Sequence, residues 1–212
     1  MDSKEIRTIV SQVIERMNNE DMSFPVEMSA RHVHLTKEDV ACLFGPGESL
    51  QVVRELSLPG FLSDKRVTLV TEKGSFRNVA VLGPERSATQ VELSATDAFQ
   101  LGIKAPCNIS GDHTNAGDVY IIGTHGMLWA KGSVIIAQAH VHMNLEEATR
   151  YHVKDGELVS VDVMTDRPIT LRNVMIRVAD GMHATMHIDM DEANACHRTN
   201  STRGVLHKIA KG

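Results

Sequence analysis

Apolar and polar positions divide this chain into many short segments of period two, with one longer stretch of helical period at the start. Across residues 3–18, Ile6, Ile9, Val10, Val13, Ile14 and Met17 recur at helical spacing, and Lys4, Glu5, Arg7, Glu15 and Arg16 fall mostly off that stripe. The pattern predicts an amphipathic helix. Two readings stay open for it: packing on the protein's own body, or insertion into a partner's groove. From Phe24 the period changes. Residues 24–28 read as a strand, 66–71 (RVTLVT) alternate like a half-buried strand, Lys73-Gly74 turns the chain, and 76–82 return as its hairpin partner. Residues 119–123, 158–163 and 168–178 supply further strands, and the polar, basic tail from Arg198 reads as loosely held.

Four short helices punctuate these strands. Residues 36–44 stop at Gly45-Pro46-Gly47, residues 96–101 stop at Gly102, another begins near Asn144, and the last covers 191–196. Thr36 with Asp39 and Asn144 with Glu147 have the spacing of an N-cap with an acidic residue at N3. Two of the helices follow the same motif, His-Val-His, at His32–His34 and His140–His142. In an extended strand residues i and i+2 share a face, their Cα atoms about 6–7 Å apart. Both imidazoles of one motif can therefore converge on a single cation, and the helix N-terminus just beyond favours an anion nearby.

The motif is part of an internal duplication. Phe76-Arg77-Asn78-Val79 matches Leu171-Arg172-Asn173-Val174, and the same offset of 95 lays Val91–Ala98 over Met186–Ala193, whereas the two His-Val-His motifs are 108 apart. The second copy is thus 13 residues shorter between these points (108 − 95). The alignment makes Glu92 and His187 equivalent, each at a strand end before a helix. Two three-donor sets follow: His32, His34 and Glu92, and His140, His142 and His187. Both are sets that zinc accepts while keeping an open position, with other divalent metals able to substitute. The remaining histidines (113, 125, 152, 183, 197 and 207) occupy no repeated position and read as exposed or hydrogen-bonded. Arg86, in the turn Gly83-Pro84-Glu85-Arg86, sits six residues before Glu92 and can offer a fork to phosphate or carboxylate; Arg31, beside His32, could do the same.

Composition narrows the class. With 212 residues and 42% hydrophobic content the chain can build one large domain or two small ones, but only 4% is aromatic, so its cores rest on Val, Ile, Leu and Met. A net charge of -5 argues against nucleic acid as a partner. No apolar run approaches the roughly 18 residues of a membrane span, and no secretory signal is present. Cys42, Cys107 and Cys196 are odd in number and lack CxxC spacing, which reads as free thiols in a reducing, cytoplasmic compartment.

The segments Ser29-Ala30-Arg31-His32-Val33-His34-Leu35, Gly83–Arg86 through Glu92, Ala137-Gln138-Ala139-His140-Val141-His142-Met143 and Met186–Asn194 together resemble the PduL-type phosphotransacylases, the phosphate propanoyltransferases of bacterial microcompartments. The resemblance spans residues 24 to 196. It implies a mainly β (α+β) fold of two tandem β-barrels capped by short helices, with boundaries at 1–20 for the N-terminal helix, 21–30 plus 138–208 for one barrel with an exchanged strand, and 31–137 for the other. It implies reversible conversion of a short-chain acyl-CoA (propanoyl or acetyl) and phosphate to acyl phosphate and CoA. It also implies two zinc ions per chain, one on His32, His34 and Glu92 and one on His140, His142 and His187, with Arg86 as the phosphate-binding, catalytic arginine. A homodimer is the family's usual minimum, and residues 3–18 resemble its helix for packing against shell or lumen partners inside a microcompartment. No covalent nucleophile is required. A two-metal phosphoesterase and a zinc-stabilised scaffold use similar donors, and turnover of acyl-CoA with and without phosphate separates the three. Contacts to CoA are unassigned; residues 111–117 and 124–129 are candidates.

Overall fold

The computed structural model describes residues 22–57 and 59–208, so the helix expected over 3–18 lies outside the described residues. In chain order the elements are β1 (Ser23–Met28), β2 (His32–His34), α1 (Lys37–Phe44), β3 (Val52–Glu55), β4 (Phe61–Val70), β5 (Ser75–Gly83), β6 (Gln90–Leu93), α2 (Ala95–Leu101) and β7 (Cys107–Asn108). They continue with β8 (Gly117–Ile122), β9 (Met127–Ala137), β10 (His140–Met143), α3 (Leu145–Arg150), β11 (Leu158–Met164), β12 (Ile169–Val178), β13 (Thr185–Ile188), α4 (Met190–Ala195) and β14 (Arg203–Lys208). Contacts divide the described residues into two units, 22–27 with 140–186 and 196–208, and 28–139 with 187–195.

Both sheets close on themselves, as the two-barrel expectation requires. One barrel runs β1-β13-β10-β12-β11-β14 and returns to β1 through the pairs Ser23↔Val205 and Phe24↔Gly204. The other runs β4-β5-β2-β6-β9 and closes because β8 pairs both β9 and β4, with β3 and β7 attached outside the ring. The order repeats the duplication. Each His-Val-His strand lies parallel to the long strand that carries the Arg-Asn motif: β2 beside β5 and β10 beside β12. The strand entering each motif belongs to the opposite ring, β1 to that of β10 and β9 to that of β2.

The period-two pattern supplies the cores. Along β11, Val159, Val161 and Val163 are wholly buried while Leu158 and Met164 are exposed. In the other ring Val33, Leu35, Val67, Leu69, Val79, Val81, Val91, Leu93, Val119, Ile121 and Val134 fill one continuous cluster. Backbone details repeat too. Asn78 and Asn173, 95 apart, both hold a positive φ, of 57° and 56°, which asparagine tolerates better than most residues. The helix caps follow the expected chemistry. The Thr36 hydroxyl accepts from the Asp39 amide, Ser94 accepts from Asp97, and Asn144 with Glu147 forms a reciprocal capping box. Gly102 ends α2 in the left-handed region at φ 67°, where a side chain is costly.

The tail departs from expectation. Residues 203–208, read from their polarity as loosely held, form β14, which pairs both β1 and β11 and completes a ring. Of its six residues Gly204 is buried, Val205 and Leu206 are half-buried, and Arg203, His207 and Lys208 are exposed. Gly204 is bare because a Cβ there would lie 2.8 Å from the Phe24 ring and 2.9 Å from Val161. Gly204→Ala should therefore cost about 1–3 kcal/mol of unfolding free energy, despite the better strand propensity of alanine. Urea melts that show no loss would place β14 outside the barrel wall.

Candidate metal centre

The pairing of β2 with β6 sets His32 opposite Glu92, Val33 opposite Val91, and His34 opposite Gln90. Val33 and Val91 point into the barrel core and are wholly buried. Alternation therefore puts His32, His34, Gln90 and Glu92 together on the other face of the same two strands. That face is also buried, with exposures of 7, 6, 1 and 6%. Four polar side chains packed this deeply need partners, since an unmet buried polar group costs about 1–3 kcal/mol.

The partners found are incomplete in an informative way. His32 Nδ1 lies 2.9 Å from the Ala30 carbonyl oxygen, so that nitrogen donates and Nε2 is the one turned to Glu92. Nε2 of His32 stands 3.5 Å from one Glu92 oxygen, and Nε2 of His34 stands 3.8 Å from the other. Two ligands bonded to one zinc at about 2.0–2.1 Å in tetrahedral geometry lie roughly 3.4 Å apart, close to this spacing. Among the described residues Nδ1 of His34 and Oε1 of Glu92 hydrogen-bond to no protein group. The three donors lie within 4.8 Å of one another. The set fits a divalent cation.

Electrostatics keeps His34 and Glu92 in their ligating forms. Burial, aided by the charges of His32 and Arg86, pushes His34 down to about 3, so its imidazole is neutral at neutral pH. Burial alone would raise Glu92, but His32 and His34, with Ser110 and Arg86 adding to them, hold its carboxyl down at about 2. Neutral imidazoles and an ionised carboxylate are what metal binding demands.

Arg86 borders this face. Its backbone N–H donates to the Leu35 carbonyl at 2.8 Å, which ties the turn after β5 to the end of β2. Its guanidinium donates to the Ser110 hydroxyl at 2.9 Å. Arg31 behaves otherwise. It is not an anion fork held in reserve but is committed to Asp97, through Nε at 2.9 Å and Nη2 at 2.7 Å, with its guanidinium 4.2 Å over the Phe76 ring. The pair braces the residue before His32 against the first turn of α2.

His140 and His142 repeat the arrangement of the first motif, with ring centroids 4.6 Å apart against 5.0 Å for His32 and His34. His187 is buried on β13. His187 falls in the contact unit of residues 28–139, His140 and His142 in the other. Of the two candidate segments for CoA, residues 111–117 begin beside the site, with the Gly111 N–H donating to Gln90. Residues 124–129 lead into β9, where Trp129 is half exposed and its ring packs 4.4 Å from Tyr120.

Sequence reading missed Gln90 and Ser110. Gln90 was legible, since it stands two residues before Glu92 on one strand. Ser110 was not, because it comes from a loop with no repeat partner to mark it.

Two closed rings and a buried His-His-Glu set beside an arginine define a two-barrel protein with a metal-ready centre. The model of the phosphate propanoyltransferase family matches residues 25–199. The chain is 46% identical over 212 residues to the phosphate propanoyltransferase of Alkaliphilus metalliredigens, covering 98% of this chain and 100% of that one. It is 43% identical over 207 residues to that of Clostridioides difficile, covering 97% of each. Against that of Thermotoga maritima the figures are 46% over 172 residues, 80% of this chain and 82% of that one. The chain belongs to the phosphate propanoyltransferase family and is a phosphate acyltransferase. No helix among the described residues is long and apolar enough to cross a membrane.

Two outcomes test this electrostatic picture. His34→Ala or Glu92→Ala should lower divalent-metal affinity on the order of 100-fold, read as loss of one equivalent of bound metal by elemental analysis after dialysis. Glu192, at the start of α4, is pushed up to about 7 by burial, with Asp189 and Asp191 adding repulsion. Its folded value lies above its unfolded one, so the stability it contributes is full below about pH 4.5 and is lost as pH rises through about 7. Glu192→Gln, which keeps an acceptor for the Asp189 N–H, should therefore gain on the wild type between pH 5 and pH 8, by about 1–3 kcal/mol. Thermal melts across that range check it.

Proposed function

We propose that this chain interconverts a short-chain acyl-CoA, propanoyl- or acetyl-CoA, and phosphate with acyl phosphate and CoA. The observation that carries the reading is the buried His32, His34 and Glu92 set with the Arg86 guanidinium at its border. His32, His34 and Glu92 would hold one zinc, and His140, His142 and His187 a second. The chemistry such ions supply when bound is Lewis-acid stabilisation of an oxyanion or a thiolate.

The reaction forms one bond and breaks one. A phosphate oxygen attacks the thioester carbonyl carbon, a tetrahedral oxyanion forms, and its collapse breaks the C–S bond and releases the CoA thiolate. No covalent enzyme intermediate is needed. Arg86 supplies charge and a planar fork to a phosphate dianion, which holds it in place and offsets the negative charge that builds up as the tetrahedral oxyanion forms. Its main-chain tie to Leu35 and its contact with Ser110 hold the guanidinium in place. The barrel wall behind β2 and β6 is apolar and buried, which strengthens the charge interactions on the site face.

The same reading makes a homodimer the working assembly and places the enzyme within a bacterial microcompartment, with residues 3–18 as the segment that engages shell or lumen partners. The test is a thiol-release assay with propanoyl-CoA. Turnover should require phosphate and disappear when metal is stripped. Arg86→Ala should raise the phosphate KM by about 10-fold or more, the loss of a charge-assisted pair, and change the acyl-CoA KM little. Full turnover in stripped enzyme would end this reading.

A further inference from the structure

Gln90 has the lowest exposure of the polar side chains on the site face, at 1%, and only half of its carboxamide has a partner. Its Oε1 accepts from the Gly111 backbone N–H at 3.0 Å and from the Ser110 hydroxyl at 3.1 Å. A backbone N–H can only donate, so the atom facing it must be the oxygen, and the amide cannot be flipped. The –NH2 group is thereby turned away from the loop of Ser110 and Gly111. Among the described residues it donates to nothing. Gln90 stands opposite His34 and two residues before Glu92, and Arg86 Nη1 reaches within 3.5 Å of its oxygen.

A buried –NH2 group is a donor without acceptor capacity, so whatever satisfies it must present a lone pair. The native fold holds it in one orientation by two hydrogen bonds to its oxygen. It lies on the face that holds the metal donors and beside the arginine that would carry phosphate. We propose that Gln90 is a phosphate-positioning residue: its Nε2 donates to a phosphate oxygen that Arg86 does not reach, and this second, neutral donor fixes the rotation of the phosphate about the Arg86 axis. The Gln90 carboxamide holds Arg86 and Ser110 through its oxygen and the substrate through its nitrogen. A guanidinium fork holds two oxygens and leaves the phosphate free to hinge about the line joining them; a third fixed donor removes that freedom and selects one oxygen for attack.

This inference rests on the phosphate-acyltransferase reading above. Its test has a binding arm that does not depend on turnover. Gln90→Met keeps length and neutrality but removes the amide, and Gln90→Glu keeps the acceptor for Gly111 and removes the donor. Each variant is compared with the wild type for bound metal, for the thermal shift produced by inorganic phosphate, and for KM toward phosphate and toward propanoyl-CoA separately. Both variants should retain wild-type metal content. Both should lose most of the phosphate-induced thermal shift and raise the phosphate KM by about 10-fold, with the acyl-CoA KM within about twofold. Should Gln90→Glu fail to fold, Gln90→Met alone decides. An unchanged phosphate shift in a folded variant, or an equal rise in both KM values, makes Gln90 a structural amide satisfied by water and overturns the proposal. A wild type that shows a phosphate shift lost in Gln90→Met, yet turns over no acyl-CoA, leaves the Gln90 assignment standing and sinks the transferase reading.

Discussion

The two sides of the β2–β6 pair are both buried, and only one of them is apolar. A strand pair normally shows one face to a core and the other to water, which is why alternation of hydrophobic and polar residues is stable at all. Here the polar face carries two imidazoles, a carboxylate and a carboxamide, each less than a tenth exposed. Neither the donors' mutual spacing nor their protonation forms let them satisfy one another. The nearest nitrogen–oxygen distances, 3.5 and 3.8 Å, are long for hydrogen bonds, and burial holds His34 neutral. A fold that pays this desolvation cost at four adjacent positions has a use for the unmet lone pairs, and a cation is the partner that answers three of them at once.

Rigidity at this face comes from what surrounds it. The apolar side of the same strands belongs to a closed barrel, and closure leaves no edge along which β2 or β6 can slip. A one-residue slip would carry the donors into the barrel interior, so the Val33, Leu35, Val91 and Leu93 packing fixes the register and with it the ligand geometry. At the motif's entrance, the bidentate Arg31–Asp97 pair couples the strand to the first turn of α2. Beyond it, the Thr36 cap starts α1 immediately after Leu35. The six-residue stretch that carries the ligands is therefore pinned at both ends and along one side.

How much of this the sequence carried depended on whether a feature was local. The Ser94 cap was not legible, but the His-Val-His motifs, the caps at Thr36 and Asn144 and the hairpin of β4 and β5 are matters of a few neighbouring residues, and each was legible. So was the equivalence of Glu92 with His187, because duplication turns a distant relation into a comparison of two short strings. Closure of the rings was not legible from pattern. It depends on β8 pairing with two strands at once and on residues 203–208, whose exposed Arg203, His207 and Lys208 leave no strand alternation to read. Arg31 was misread for a related reason: its proximity in sequence to His32 suggested a shared ligand, whereas its partner lies 66 positions away, on α2. Side-chain destinations of long, flexible residues are decided by tertiary neighbours, and strings of residue types do not name those neighbours.

Duplication also explains why the two proposed ligand sets differ by one residue. A set of two histidines and a glutamate carries one negative charge when ligating, and a set of three histidines carries none. With Glu92 in one copy and His187 in the other, the His32, His34 and Glu92 set would leave a bound divalent ion about one unit less positive than the His140, His142 and His187 set would. Arg86 then stands on the side where charge has been reduced, next to Glu92, and restores there for an oxyanion what the carboxylate removes from the metal. On this argument Arg86 is the counterweight to the carboxylate that distinguishes the first copy from the second, and a phosphate at that face would meet a positive charge despite Glu92.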